Sequence, residues 1–333
     1  MGSIGEQPPK PWVQTPLIRS AALSLEAGCN IYLKLETLQP SGSFKSRGIG
    51  NLMSKAILSH PPSKPVHFYC SSGGNAGLAC VTAATALNRP ATIVVPMSTS
   101  ALMVQKLKTL GADVVQHGMH WSEADAYLRE ELLKKDPGGV YVPPFDHPDL
   151  WEGHSSLVDE VEVQMNGEYD GLVLVMETEG AESLNYSLRE GSLRRLDKIS
   201  SIATSLGATQ VAGKAFEWGQ RPEVTSCVFS DAEAAMACVE FADDERILVE
   251  TACGVSIAPA YNDTLHTILY PELSDEEFSR LNIVIVVCGG SNVTLKILES
   301  YREKYGSDER VVSKFHSRRL GRREKVPKKV RKE

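Results

Sequence analysis

The chain has 333 residues, 42% hydrophobic and 23% charged, a globular composition for one or two domains, with no apolar run near the ~20 residues that span a membrane. Net charge is −7, but residues 311–333 hold ten Lys/Arg against two Glu, a local +8, so the rest carries −15, which leaves no general footprint for nucleic acid. Seven scattered cysteines without a CxxC pair exclude a disulfide framework or zinc site, and with no signal-peptide stretch in MGSIGEQPPKPW they point to the cytosol.

IYLKLE (31–36) reads as a strand, and SGSFKSRG (41–48) as the opening of a helix. HFYCSS (67–72), ATIVVP (91–96), ADVVQHG (112–118) and GVYVPPF (139–145) read as strands. Between them lie NAGLACVTAATAL (75–87), SALMVQKLKTLG (100–111) and WSEADAYLREELLKKD (121–136), read as helices, the last as one long amphipathic helix. Pro143 and Pro144 close that block. WEGHSSLVDEVEVQM (151–165) is helical and GLVLVME (171–177) a strand. After VTSCVFS (224–230), DAEAAMACVEFA (231–242) and ACGVSIAPAYNDTLHTIL (252–269) read as helices, and NIVIVVCGG (282–290) begins as a strand. Strands alternating with helices predict βαβ units. The expected fold is α/β, two-lobed, with open twisted parallel sheets and helices on both faces. Residues 311–333 have too little apolar surface to offset their ordering entropy and are expected to be a disordered tail.

Three segments carry chemistry. In SGSFKSRG, Lys45 stands among small residues at a helix start, near a positive helix end and Arg47, where an amine should have a lowered pKa and act as a nucleophile. Taken alone, an exposed surface lysine is the slightly better reading. In SSGGNAG (71–77) a strand meets a helix, the place where open α/β sheets bind ligands, and the helix N–H groups suit a carboxylate. A Gly-rich turn with Asn75 as N-cap explains the same residues. In CGGSN (288–292) a thiol follows an apolar strand, where it could face a heteroaromatic nitrogen or be a buried structural cysteine.

Taken in order, PSGSFKSRG, SSGGNAG, the EGA at 179–181, ETACG (250–254) and VVCGGSN resemble the serine/threonine dehydratases, pyridoxal-phosphate enzymes of the tryptophan-synthase-β-like fold (fold type II). The resemblance runs from about Thr15 to Ser300. It implies that Lys45 forms the Schiff base with pyridoxal 5'-phosphate and later moves the substrate α-proton, with Phe44 beneath the cofactor. It further implies that Asn75 bonds the pyridine hydroxyl and that Cys288, with Gly289, lies beside the ring nitrogen. Ser72, Gly73, Asn75 and Ala76 would hold the substrate carboxylate. Glu177, Ala181, Leu206 and Ala208 match the positions where the family binds a monovalent cation such as K+. The implied domains are a large one, 1–41 with 146–310, and a small one, 42–145. The implied activity is conversion of L-serine to pyruvate and ammonia in a cytosolic homodimer acting on a small amino acid, with L-threonine to 2-oxobutanoate as a companion reaction. No regulatory domain is expected after Ser300. β-Replacement, as in cysteine synthases, is the rival enzyme reading.

The chain departs from the family at one place. Family members carry a loop of about four glycines around the cofactor phosphate, before the strand that ends at the EGA motif. Here Tyr169 to Val173 runs straight into Leu174, Val175, Met176 and Glu177. The missing stretch is roughly 30 residues, the size of a strand–helix–strand crossover. The departure raises an alternative, a catalytically impaired dehydratase-like protein.

Overall fold

The computed structural model describes residues 9–61, 64–173 and 176–315. It divides into two compact units, Met1–Pro16 with Leu35–Gly167 and Cys288–Asn292, and Leu17–Lys34 with Glu168–Val287 and Val293–Glu333. The segment 42–145, expected as a small domain, falls wholly in the first unit, which also takes 35–41 and 146–167. Ten strands are described: β1 (Leu17–Ser20), β2 (Asn30–Lys34), β3 (His67–Cys70), β4 (Ala91–Val95), β5 (Asp113–Gln116), β6 (Gly139–Tyr141), β7 (Gly171–Val173), β8 (Glu177–Thr178), β9 (Val228–Phe229) and β10 (Asn282–Val286).

In the first unit the sheet order is β5-β4-β3-β6, parallel throughout. All five residues of β4, ATIVV, are buried, as expected for a strand covered on both faces. The chain builds from β3 through β4 to β5 on one side, then places β6 on the other side of β3. Strand order therefore reverses between β3 and β6, and the crevice beyond their carboxyl ends is the favoured place for a ligand. Helix Asn75–Ala86 links β3 to β4 and is buried around most of its circumference, which its Ala-rich sequence permits. Ile49, Met53, Phe68, Ile93, Leu107 and Leu150 lie in the core beside it.

Helix Lys45–Ser59 crosses helix Pro148–Gln164 at two glycines. A methyl on Gly48 would collide with the His154 ring, and one on Gly153 would stand 2.6 Å from the Arg47 carbonyl oxygen. The close crossing needs both positions bare. Residues 121–136 are not one continuous α-helix. Helix Trp121–Tyr127 passes into a π turn, Leu128–Leu132, and a 3-10 turn, Leu133–Lys135. The change of winding accompanies the packing of Leu128, Leu132 and Leu133 on one cluster with Tyr69 and Val94.

In the second unit the sheet order is β1-β2-β10-β7, with only β1 antiparallel to its neighbour. The expectation of one strand over 171–177 is corrected. β7 pairs with β10, Gly171 opposite Ile283, whereas β8 pairs with β9, Glu177 opposite Val228. Between them Met176 N–H donates to Ser256 Oγ at 3.2 Å, so the backbone has already changed partners. Leu174 and Val175, and with them the junction where the family loop is missing, lie outside the described residues.

The helical run 252–269 is likewise two helices, Thr251–Tyr261 and Leu265–Leu269, separated where Asp263 takes φ +60°. Every residue of Thr251–Tyr261 is buried. Gly254 lets it approach helix Asp231–Glu245 at the Ala234 carbonyl and Cys238. The tail expected from 311 is folded as far as Phe315. Helix Glu309–Phe315 buries Val311 and Phe315, and the Phe315 ring stacks on Tyr261 at 6.0 Å. This i, i+4 apolar pair supplies the anchor that composition averaged over the tail conceals. Residues 316–333 of the expected tail lie outside the described residues. Among the described residues no helix is long and apolar enough to cross a membrane.

Candidate active site

The three segments singled out in the sequence meet in the first unit. Phe44 N–H donates to the Cys288 carbonyl at 3.1 Å, and Gly290 N–H to the Gly42 carbonyl at 2.9 Å. Between these bonds Ser43 and Gly289 form an antiparallel bridge. Gly289 and Gly290 have φ of +86° and +112°, and a methyl on Gly289 would collide with the Gly42 carbonyl. Only glycine serves there. Ser291 N–H donates to Asn75 Oδ1 at 3.0 Å, and Lys106 Nζ to the Ser291 carbonyl at 2.9 Å. Two helices thus hold the Cys288 turn against the segment that carries Lys45.

Beyond β3 the chain turns through Ser71–Gly74 into helix Asn75–Ala86. Gly74 is the N-cap and Asn75 the first helical residue, so Asn75 does not cap the helix and its amide oxygen is used on Ser291 instead. The first intrahelical bond runs from Leu78 N–H to the Gly74 carbonyl. The N–H groups of Ala76 and Gly77 come before that bond, at the helix end that favours anions. Ser72 Oγ accepts from Gly74 N–H at 3.3 Å. A methyl on Gly77 would collide with the Ser72 carbonyl, and one on Gly73 would stand 2.7 Å from Thr99 Cγ2. The turn is narrow at both glycines.

Lys45 is the first residue of helix Lys45–Ser59. The residue keeps some exposed surface, but its amine is enclosed, donating to the Pro144 carbonyl at 2.9 Å just past β6. It stands 5.1 Å from the centre of the Phe44 ring. Burial lowers its pKa from 10.5 to about 8, against a small opposing pull from Cys70 and Cys288. Arg47 is not the cause that the sequence suggested, because its guanidinium is held by Glu36 and Glu160. Desolvation of the amine does the work.

Neither Pro144 as the amine's acceptor nor His154 was legible in the sequence. The His154 ring packs on Phe44 with centroids 4.9 Å apart. Burial, then the charges of Lys45 and Arg47, push its pKa down to about 3, so it is neutral at physiological pH. Its Nδ1 has no hydrogen-bond partner among the described residues, and neither has Ser43 Oγ. Pro144 and His154 lie about a hundred residues from Lys45 in sequence, so only the folded chain reveals them.

The residues expected around a monovalent cation lie in the second unit. Both Glu177 carboxylate oxygens accept backbone N–H groups, from Leu184 at 2.9 Å and Asn185 at 2.8 Å, at the start of helix Ser183–Arg189. Burial raises the Glu177 pKa above its ordinary value. Ala181 N–H donates to the Thr178 carbonyl, and Ala208 N–H to the Leu206 carbonyl, both at 2.8 Å. Among the described residues no three His, Cys, Asp or Glu side chains are grouped to hold a metal ion.

The residues about Lys45 fit the pyridoxal phosphate that the motifs imply. An enclosed amine with a lowered pKa suits a reactive carbonyl, and the unpartnered Ser43 and His154 atoms are polar groups that a bound molecule can satisfy. The phosphate end is less well provided: no glycine stands between Gly171 and Gly180.

A family model described as pyridoxal-phosphate dependent enzyme matches residues 10–178 and 172–289, the two stretches overlapping where β7 gives way to β8. The chain is 40% identical over 326 residues to the L-serine dehydratase/L-threonine deaminase of Homo sapiens, with 90% of this chain and 97% of that protein covered. It is 37% identical over 322 residues to an L-serine dehydratase of Saccharomyces cerevisiae, covering 84% of this chain and 94% of that one. Since 90% of 333 residues is about 300, about 26 of the 326 positions aligned with the human protein face no residue of this chain. Among solved structures, a fungal L-serine ammonia-lyase from Rhizomucor miehei superposes with a TM-score of 0.80 at 32% identity, over 88% of this chain and 99% of that one. The chain belongs to the family of pyridoxal-phosphate-dependent enzymes.

Proposed function

We propose that this protein is an L-serine ammonia-lyase that forms pyruvate and ammonia from L-serine and accepts L-threonine as a second substrate. The observation that carries the reading is the meeting of a lowered-pKa lysine, a glycine-lined helix start and the Cys288 turn at the switch point of one parallel sheet. The relatives named as serine dehydratases support the same chemistry.

Pyridoxal phosphate, when bound, supplies electron withdrawal from the α-carbon of an amino acid, which makes the α-proton removable and lets the β-hydroxyl leave. This chain's residues supply the rest. With a pKa of about 8, roughly a tenth of Lys45 is neutral at pH 7, against fewer than one in a thousand for an ordinary lysine. The neutral Nζ can attack a carbonyl and later accept the α-proton. Phe44 would support the ring, Asn75 would meet the ring hydroxyl, and Cys288 with Gly289 would line the ring nitrogen without imposing a full charge. Ser72, Gly73 and the N–H groups of Asn75 and Ala76 would orient the substrate carboxylate.

The same proposal includes a large domain of 1–41 with 146–310, a small domain of 42–145, and a cytosolic homodimer. All seven cysteines are thiols without a disulfide, in keeping with a reducing compartment. A monovalent cation on Glu177 and the carbonyls of Ala181, Leu206 and Ala208 completes it, supported by the partly buried Glu177 carboxylate. Exchange of potassium for sodium in the assay should lower turnover if that cation serves.

A second reading draws on the junction at Val173. About 26 positions of the human relative find no residue here, and by the order of the motifs the family's phosphate loop would fall at this junction. A protein without it would hold the cofactor weakly. Ammonia and pyruvate release from serine, measured at saturating pyridoxal phosphate beside sulfide incorporation from O-acetylserine, tests the set. Ammonia release supports the lyase, sulfide incorporation alone overturns it in favour of β-replacement, and neither supports the impaired protein.

A further inference from the structure

Helix Lys45–Ser59 begins without a side-chain cap: Phe44 occupies the N-cap position and makes no such bond. Helix ends fray, and the first turn is where Lys45 stands. Phe44 N–H donates to the Cys288 carbonyl and Ser41 N–H to Ser46 Oγ, and in the same turn stands Arg47, whose side chain is wholly buried. Its Nε and Nη2 donate to Glu36 at 2.7 Å each, and its Nη1 and Nη2 donate to Glu160 at 2.7 Å each. Nη1 also donates to Ser156 Oγ at 3.1 Å. Thr15 Oγ1 donates to Glu36 Oε1 at 2.6 Å, and Gln39 Nε2 to Glu36 Oε2 at 3.2 Å. Glu36 follows β2, and Glu160 lies on helix Pro148–Gln164. One planar fork thus ties the turn to two separate elements.

Buried ion networks are weak contributors to stability, since desolvation offsets their attraction and apolar residues of equal volume do as well. The geometry of this one, not its energy, sets it apart. A doubly bidentate guanidinium fixes both position and rotation of the backbone that bears it, which a lysine cannot do.

We propose that Glu36, Arg47 and Glu160 form a positioning clamp for Lys45, holding the first helical turn so that the amine stays enclosed beside Pro144. The clamp's purpose rests on the proposed role of Lys45, but its effect on the amine does not. The charged and titratable groups that act on Lys45 are Cys70, Cys288 and His154, so a variant of the clamp leaves them in place.

The test uses the full chain with Glu160→Gln, which removes one bidentate pair at a partly exposed site, and Arg47→Lys, which keeps the charge without the fork. Melting temperature and far-UV circular dichroism establish folding. The pH midpoint of the Lys45 amine is then measured without cofactor, by competitive acylation and mass spectrometry of the Lys45 peptide. In a folded variant the midpoint should rise from about 8 toward 10.5 by about one pH unit or more as the amine regains water. Pyridoxal phosphate fixed on Lys45 by borohydride, at a concentration that half-labels the parent, should fall by about tenfold or more. Folded variants with the parent's midpoint and labelling would overturn the clamp, as would loss of fold in both, which would make it a structural element only. A parent with a midpoint near 8 but no cofactor on Lys45 would defeat the functional reading, leaving the clamp to be decided by the midpoint.

Discussion

Enclosing a lysine amine disfavours its charged form, so the fold is least stable when Lys45 is protonated. With the amine at about 8 in the folded protein and 10.5 unfolded, both states hold the proton below pH 8 and the cost is fully present. Between pH 8 and 10.5 only the unfolded chain binds the proton, so stability rises with pH; above 10.5 the group no longer contributes. The size of the effect is about 3 kcal/mol. Lys45→Met should therefore be more stable than the parent at pH 7 by up to that amount and lose the rise, measured by urea unfolding of cofactor-free protein. A parent curve that is flat between pH 8 and 10.5 would show that the amine is not buried. Lys45, Asn75 and Cys288 were legible in the sequence because each sits in a short motif at a strand or helix boundary. Glu160 and His154 were not, because each meets the Lys45 helix from more than a hundred residues away in sequence, on a helix whose own pattern needs neither.

At the scale of elements, the Lys45 helix is set by what it crosses. Gly48 and Gly153 bring it against helix Pro148–Gln164, and the His154 ring fills the remaining space. Gly48→Ala puts a methyl into that ring and 2.8 Å from the Leu150 carbonyl. We expect a loss of about 1–3 kcal/mol, the usual range for overpacking, together with weaker fixation of cofactor on Lys45. An equally stable Gly48→Ala protein would mean that the helices separate at little cost. The parallel sheet of the first unit was readable from alternation, since its strands are apolar runs bounded by turn residues. Element ends were less so. Residues 171–177 form one apolar run but serve two sheets, because hydrogen-bond partners, which periodicity does not report, change at Met176. Asp263 divides an apparently continuous helix by taking a left-handed φ, a conformation that its residue type allows without announcing.

For the whole molecule, the proposed cofactor's phosphate has no glycine cradle where the resemblance implies one, since no glycine stands between Gly171 and Gly180. A bond from an N–H donor to a charged group is worth about 1.5–3 kcal/mol, so losing two such bonds lowers affinity by on the order of 100-fold or more. Inserting a family-type strand–tetraglycine–helix segment between Val173 and Leu174 should tighten pyridoxal phosphate binding by at least that factor and raise serine turnover with it. An insertion that changes neither, in a folded protein, would show that the phosphate is held elsewhere. The measurement that bears most directly on the molecule is borohydride reduction of the full chain with saturating pyridoxal phosphate, followed by peptide mapping. Cofactor fixed on the peptide containing Lys45, and lost in Lys45→Met, is the expected result; cofactor fixed on a different lysine, or on none, would contradict it.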